Sequence, residues 1–489
     1  MSDSIGTAQK TERSWVTIMT VGFMIFAVFF GAGNLIFPPF LGFMGGKNWW
    51  QGFIAFILAD TVLGILGLAA AGKIPQVSLG IFYRPGRQFM NVMGTFAMIT
   101  GCAVFVMPRT AATAFEVFFK PVFMPNIAPG VPTIGPSLIF CAIFLAGACI
   151  CAIRPTKVVD IVGKILTPAL LVCLVILIIV GFVNGGTIRD AVLPMGYATM
   201  FQAGIIEGYQ TFDMTTGTII GVIIITALMA KGIKKSAEQT KTILRSGLVA
   251  GVCLIVIYLG LTILGLLVSS NKELIALFEE NGRIDRTYLL NYIISASIGR
   301  GGTILMGIVV LLATFTTCIG SGSMFSQYFV RLTKGKWQYK WVCIIAFAFA
   351  ILMNVLSYIG GGSGVTFIIN LAMPIMIILM PMACALVFLN PFTNKIRNDN
   401  VYRAAVIMAA FVGACDYFGT GMFGFALPVF SHLAGFFYGK WNIFATYGFS
   451  WIIPTAVACI IGAFIKYKGF ESRPFLRENA GQEREDSVA

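Results

Sequence analysis

Between residues 15 and 466 the chain runs through long apolar stretches separated by short polar connections. About 20 apolar residues cross a bilayer as one helix, and lipid offers no partners to a backbone that leaves a helix or a closed barrel. Twelve stretches qualify, near 15–43, 51–72, 88–119, 136–153, 158–184, 194–230, 243–269, 291–330, 341–359, 364–390, 402–433 and 444–466. They predict an all-α polytopic membrane protein of about twelve transmembrane helices. Charged residues make up 11% of the chain, less than half of the roughly 25% usual in soluble domains.

The net charge of +14 would suit a nucleic-acid partner if it formed a stripe. Instead Lys and Arg sit in short clusters between apolar stretches. If both termini are cytoplasmic, 25 of the 34 basic residues fall on the cytoplasmic side, which the positive-inside rule favours. The polar segment 1–14 leads into a long apolar stretch with no small-residue cleavage site. It reads as a cytoplasmic tail before a retained helix, rather than a signal peptide. The charged segment 467–489 reads as a second cytoplasmic tail. The eleven cysteines and the lone His432 show no metal-ligand spacing. Neither HExxH, GxSxG nor GxxxxGK[ST] occurs, which argues against an enzyme or an ATP-driven pump. No repeated filter loop points to a channel.

Two stretches are interrupted. The first holds Gly31-Ala32-Gly33-Asn34 and then Pro38-Pro39; the sixth holds Gly204 and the run Glu207 to Asp213. Unwound backbone at membrane depth survives only inside protein or along a cavity. If 15–184 and 194–390 are two five-helix repeats, with 402–466 added after them, the breaks correspond. Paired breaks mark a midplane binding site in an inverted-repeat transporter. The backbone at Gly31, Ala32 and Gly33, with Asn34, is then the candidate holder of a substrate carboxylate, because the start of a half-helix exposes N–H groups.

A carboxylate deep in an apolar stretch is usually functional. Three roles are open to Glu207: pairing with a substrate ammonium, bonding the broken helix, or carrying a proton. Gly208 and Tyr209 lie beside it as candidate lining. Asp213 either carries a proton or starts the resumed helix, where the dipole favours it. Thr316 and Thr317 in the eighth stretch either bond back to a carbonyl one turn earlier or hold a cation. Arg109 and Glu116 lie two turns apart on one helix face, too far to assume a direct pair; with Asp60 and Asp416 they read as charges paired structurally, a proton role being the alternative for Arg109 and Glu116.

The segment 26–39, FAVFFGAGNLIFPP, resembles the opening signature of the bacterial branched-chain amino acid cation symporters of the BrnQ type. The run EGYQTFD resembles a second family segment, with Phe212 where methionine is usual, and Pro108-Arg109-Thr110 resembles a third. The resemblance implies a LeuT-like 5+5 inverted repeat with helices 1 and 6 broken, plus two C-terminal helices. It implies a carrier in the bacterial inner membrane that imports leucine, isoleucine and valine by Na⁺ symport, without an obligate protein partner. Alternating access would move helices 1, 2, 6 and 7 against the rest. By the same resemblance the Thr316 and Thr317 hydroxyls and the carbonyls of Ala27, Phe30 and Ala313 hold Na⁺. H⁺ carried by Glu207 or Asp213 is the alternative.

Overall fold

The computed structural model describes residues 2–71, 80–125, 127, 133–153, 167–190, 197–230, 236–281, 284–359, 364–393, 395–419 and 427–466. The start of the expected fifth stretch and the 467–489 tail lie outside the described residues. Eight helices among the described residues are each long and apolar enough to cross a membrane. Shorter apolar helices at Trp15–Phe29, Leu171–Val183, Pro428–Phe437 and Ile452–Phe464 accompany them.

The first stretch is broken, as expected. One helix ends at Phe29 and the next runs Ala32–Gly45, with Gly31 in extended backbone at its cap. Pro38 and Pro39 lie inside the resumed helix, so they do not contribute to the break as expected. A proline in a helix removes the bond to the carbonyl four residues earlier, which frees the carbonyls of Asn34 and Leu35 instead. This half-helix crosses the seventh helix (Ser236–Leu267) at backbone contact. A Cβ on Gly42 would lie 1.9 Å from the Thr262 carbonyl oxygen, and one on Gly265 1.9 Å from that of Pro39.

The sixth stretch is also broken, between Met200–Tyr209 and Asp213–Ala230. Phe212 closes the gap with φ of 70°, a left-handed conformation costly for a residue with a Cβ. Its ring fills a notch on the third helix, where a Cβ on Gly101 would lie 2.3 Å from it. Gly204, expected to interrupt the helix, lies within it. It lets the sixth helix approach the second, since its Cβ would sit 2.2 Å from the Gly52 carbonyl oxygen.

Other boundaries shift. The eighth helix starts at Arg286, earlier than expected, and runs to Leu332 with a kink at Gly299. The expected eleventh stretch divides into Asp399–Gly419 and Pro428–Phe437, and the twelfth shortens to Ile452–Phe464. The polar connection before the eighth helix carries a short helix, Lys272–Asn281. The second and third helices contain π turns, at Leu58–Val62, Ile99–Val106 and Phe115–Phe119. Such turns insert a residue and re-aim side chains, often at functional sites.

Packing sorts the helices. Both halves of the first lie on the seventh, and both halves of the sixth lie on the second. The eighth packs against the third, fourth, fifth and ninth. The two breaks therefore face each other near the centre, with the third and eighth helices alongside.

Candidate functional site

Asn34 stands at the centre of the site. Its Oδ1 accepts the Gly31 N–H at 3.3 Å and caps the resumed helix from within. Its Nδ2 faces three acceptors: Asp60 Oδ1 at 3.0 Å, Asp213 Oδ2 at 3.2 Å and the Tyr258 hydroxyl at 2.5 Å. An amide nitrogen carries two protons, so three acceptors exceed what it can serve. Thr61 donates to the other Asp60 oxygen at 3.0 Å. All of these side chains are buried. The π turn at Leu58–Val62 carries Asp60, and Asp213 opens the resumed sixth helix. One cluster thus ties helices 1, 2, 6 and 7 together at the two breaks.

In the sequence Asp60 reads only as a paired structural charge, and Tyr258 does not stand out. The Asp60 signal was there, an acid in an apolar stretch. A tyrosine in an apolar helix gives none until the fold brings Asn34 to it.

Glu207 is fully buried and its charge is met within the protein. Arg286 Nη2 lies 2.5 Å from Glu207 Oε1, and Gln210 Nε2 donates to Oε2 at 3.1 Å. Arg286 also stacks over the Phe40 ring, 4.3 Å from its centroid. Arg286 gives no signal in the sequence, where it lies in a polar stretch ahead of the apolar run of the eighth helix. Asp285 caps that helix by accepting from the backbone N–H groups of Thr287 and Tyr288. Gly208 packs on the second helix, where its Cβ would lie 2.6 Å from that of Ala59. Tyr209 is buried.

Thr316 and Thr317 both donate to the Ala313 carbonyl, at 2.8 and 3.0 Å. With the protons turned inward, their oxygen lone pairs are left for another ligand. Thr317 faces the first break: its Oγ1 is 3.5 Å from where a Gly31 Cβ would be. Phe30, where the first half-helix has ended, stacks on Phe26 at 5.3 Å and on Tyr258 at 6.3 Å. Ala27 lies in the last turns of that half-helix. Oxygen ligands of this kind suit a hard cation.

Arg109 and Glu116 do not pair with each other. Glu116 pairs with Lys120 at 3.3 Å. Arg109 instead points to the breaks: Nη1 donates to the Gln210 carbonyl at 2.9 Å, and a Cβ on Gly33 would lie 3.0 Å from Nη2. Asp416, read as a paired charge, accepts from the Ser450 hydroxyl.

Residues 14–468 match the family described as branched-chain amino acid transport protein. The chain is 31% identical over 461 residues to the branched-chain amino acid permease BrnQ of Bacillus subtilis (strain 168), covering 93% of this chain and 97% of that protein. Two solved structures share the fold at low identity. MhsT in complex with L-phenylalanine aligns with a TM-score of 0.55 at 16% identity, over 91% of this chain and 98% of MhsT. Inward-facing Mhp1 aligns with a TM-score of 0.58 at 13% identity, over 94% of each chain. The all-α, LeuT-like architecture expected from the sequence is the one found.

Proposed function

The chain belongs to the branched-chain amino acid transport protein family, and from that premise we propose that it imports leucine, isoleucine and valine by Na⁺ symport. It is a multi-pass membrane protein and a transporter, not an enzyme. The observation that carries the cation reading is the position of Thr317. Its hydroxyl oxygen and methyl lie equally close to Gly31 across the first break, and its proton is held on Ala313. Na⁺ would enter as co-substrate between the eighth helix (Ala313, Thr316, Thr317) and the end of the first half-helix (Ala27, Phe30). Bound there, it would join the first helix to the eighth and order the backbone at Gly31, Ala32 and Gly33 for the amino acid. The packing of helices 1, 2, 6 and 7 on one another supports their motion as a unit during alternating access. The Lys and Arg distribution supports cytoplasmic termini in a bacterial inner membrane.

A second reading, H⁺ coupling, draws on the Asn34 cluster. Two buried carboxylates, Asp60 and Asp213, share one amide donor, and like charges that close disfavour double ionisation. Between the two acids read as proton carriers, this favours Asp213 over Glu207, whose charge Arg286 meets.

Leucine uptake into proteoliposomes separates the readings. An inward Na⁺ gradient should drive uptake that isoleucine and valine compete, and choline at matched pH and potential should abolish it. Uptake that ignores Na⁺ and follows a pH gradient would move the coupling to the Asn34 cluster.

A further inference from the structure

Arg109 is a buried cation that no carboxylate touches among the described residues. The residue is 3% exposed and sits on the third helix, in the segment Met107–Ala114. A guanidinium stays charged in any protein environment, and a buried charge without a counter-charge is costly. Yet Arg109 makes no ion pair among the described residues. Of the neighbouring acids, Glu207 pairs with Arg286 and Glu116 with Lys120, while Asp213, hydrogen-bonded to Asn34, attracts the guanidinium through space without forming an ion pair with it. Nη1 is spent on the Gln210 carbonyl. Nε is buried and has no hydrogen-bond partner among the described residues.

The direction of the guanidinium matters as much as its lack of a partner. Its two terminal nitrogens lie 3.0 and 3.1 Å from the position a Cβ on Gly33 would take. They therefore lean over the first turn of the half-helix Ala32–Gly45, whose leading N–H groups have no intrahelical acceptor. The Phe105 and Phe37 rings flank the cation, with centroids 4.2 and 5.8 Å from its carbon. Any anion placed here meets a fixed cation, orphan amides and a helix dipole at once, against apolar walls.

We infer that Arg109 is the counter-charge for the substrate carboxylate, holding it against the first turn of the second half-helix. This rests on the proposal that the substrate is a free branched-chain amino acid, and it assigns which protein charge reads the acid end. It also bears on Gly33: a Cβ there would press on the guanidinium and on the Phe37 ring, each of which would have to shift by a few tenths of an ångström. Gln210, at the break of the sixth helix, serves as the positioning residue by fixing Nη1 through its carbonyl. The ligand class this selects is a small zwitterion with an ionised carboxylate and an apolar side chain. Amides and amines of the same shape are selected against.

The test compares L-leucine with L-leucinamide, which keeps the ammonium and the side chain and lacks the carboxylate charge. Ligand-induced shifts in melting temperature, titrated on the purified full-length protein in detergent, give an affinity for each. The unmodified protein should prefer leucine. Arg109→Gln should weaken leucine by roughly 10- to 150-fold, the range for a charge-assisted hydrogen bond, and leave leucinamide within about threefold, so that the preference collapses. Arg109→Lys keeps the charge and should recover part of it. It also guards against misfolding of the glutamine variant, since a lysine at this position still reaches the same space. An Arg109→Gln protein that keeps its leucine preference, or loses both ligands equally, would overturn the assignment and leave Arg109 a latch between the third and sixth helices. An unmodified protein that responds to none of leucine, isoleucine and valine would overturn the substrate reading, and this inference with it.

Discussion

Removing the charge of Glu207 takes from Arg286 the carboxylate in contact with it and leaves a buried cation. The Glu207 side chain is fully buried and the Arg286 side chain 12% exposed, so water replaces little of what is lost. Breaking a buried pair from one side typically costs about 3–5 kcal/mol. Glu207→Gln should therefore lower the melting temperature sharply and stop leucine uptake. The double change Glu207→Gln with Arg286→Gln should recover much of the stability, because no charge is then stranded. Melting curves of the two single variants and the double variant in detergent decide this. Additive losses would mean that the ion pair does not carry the coupling. From the sequence, Glu207 stood out as an acid in an apolar stretch, but its partner did not. Arg286 lies 79 positions away, in a segment that reads as a polar loop, and only the fold places it beneath Phe40.

Glycines do two different things in these helices, and sequence does not separate them. Gly31 occupies a true break. Gly204, with the same neighbours in kind, is a crossing point where two backbones touch. The interruptions at 30–31 and 210–212 were legible because each couples small or polar residues to an otherwise apolar run. The Asn34 cluster was not, since its members come from four helices and meet only through packing. Crossing glycines make a sharp prediction. Gly42→Ala and Gly265→Ala each drive a methyl group into backbone carbonyls at 1.9 Å, where no side chain can yield. Both should cost more than the usual 1–3 kcal/mol of overpacking and reduce the yield of folded protein. Gly320→Ala, also in a helix but with nothing within 4 Å of the added carbon, should be neutral or stabilising by up to about 1 kcal/mol. Melting temperatures and size-exclusion profiles of the three variants test this directly. Equal tolerance at all three positions would show that the first and seventh helices do not cross as described.

At the scale of the whole molecule, the two proposed ligands meet at one element. Gly31 faces Thr317 on the cation side, and two residues on, Gly33 faces Arg109 on the substrate side. The start of the second half-helix is thus shared: ordering it for one ligand prepares it for the other. Such coupling is reciprocal by thermodynamic necessity. Na⁺ should tighten leucine binding by a factor that leucine returns to Na⁺, typically about 5- to 150-fold. Thr317→Val keeps the shape and removes the hydroxyl oxygen, so it should reduce that factor towards one while leaving leucine affinity in choline nearly unchanged. Calorimetric titration of leucine at several Na⁺ concentrations, and of Na⁺ at several leucine concentrations, measures both directions on unmodified and variant protein. Equal factors that fall together in Thr317→Val would tie the coupling to the break. A coupling factor untouched by the substitution would place the cation elsewhere, with the Asp60–Asn34–Asp213 cluster next in line because it joins the same break from the opposite helices.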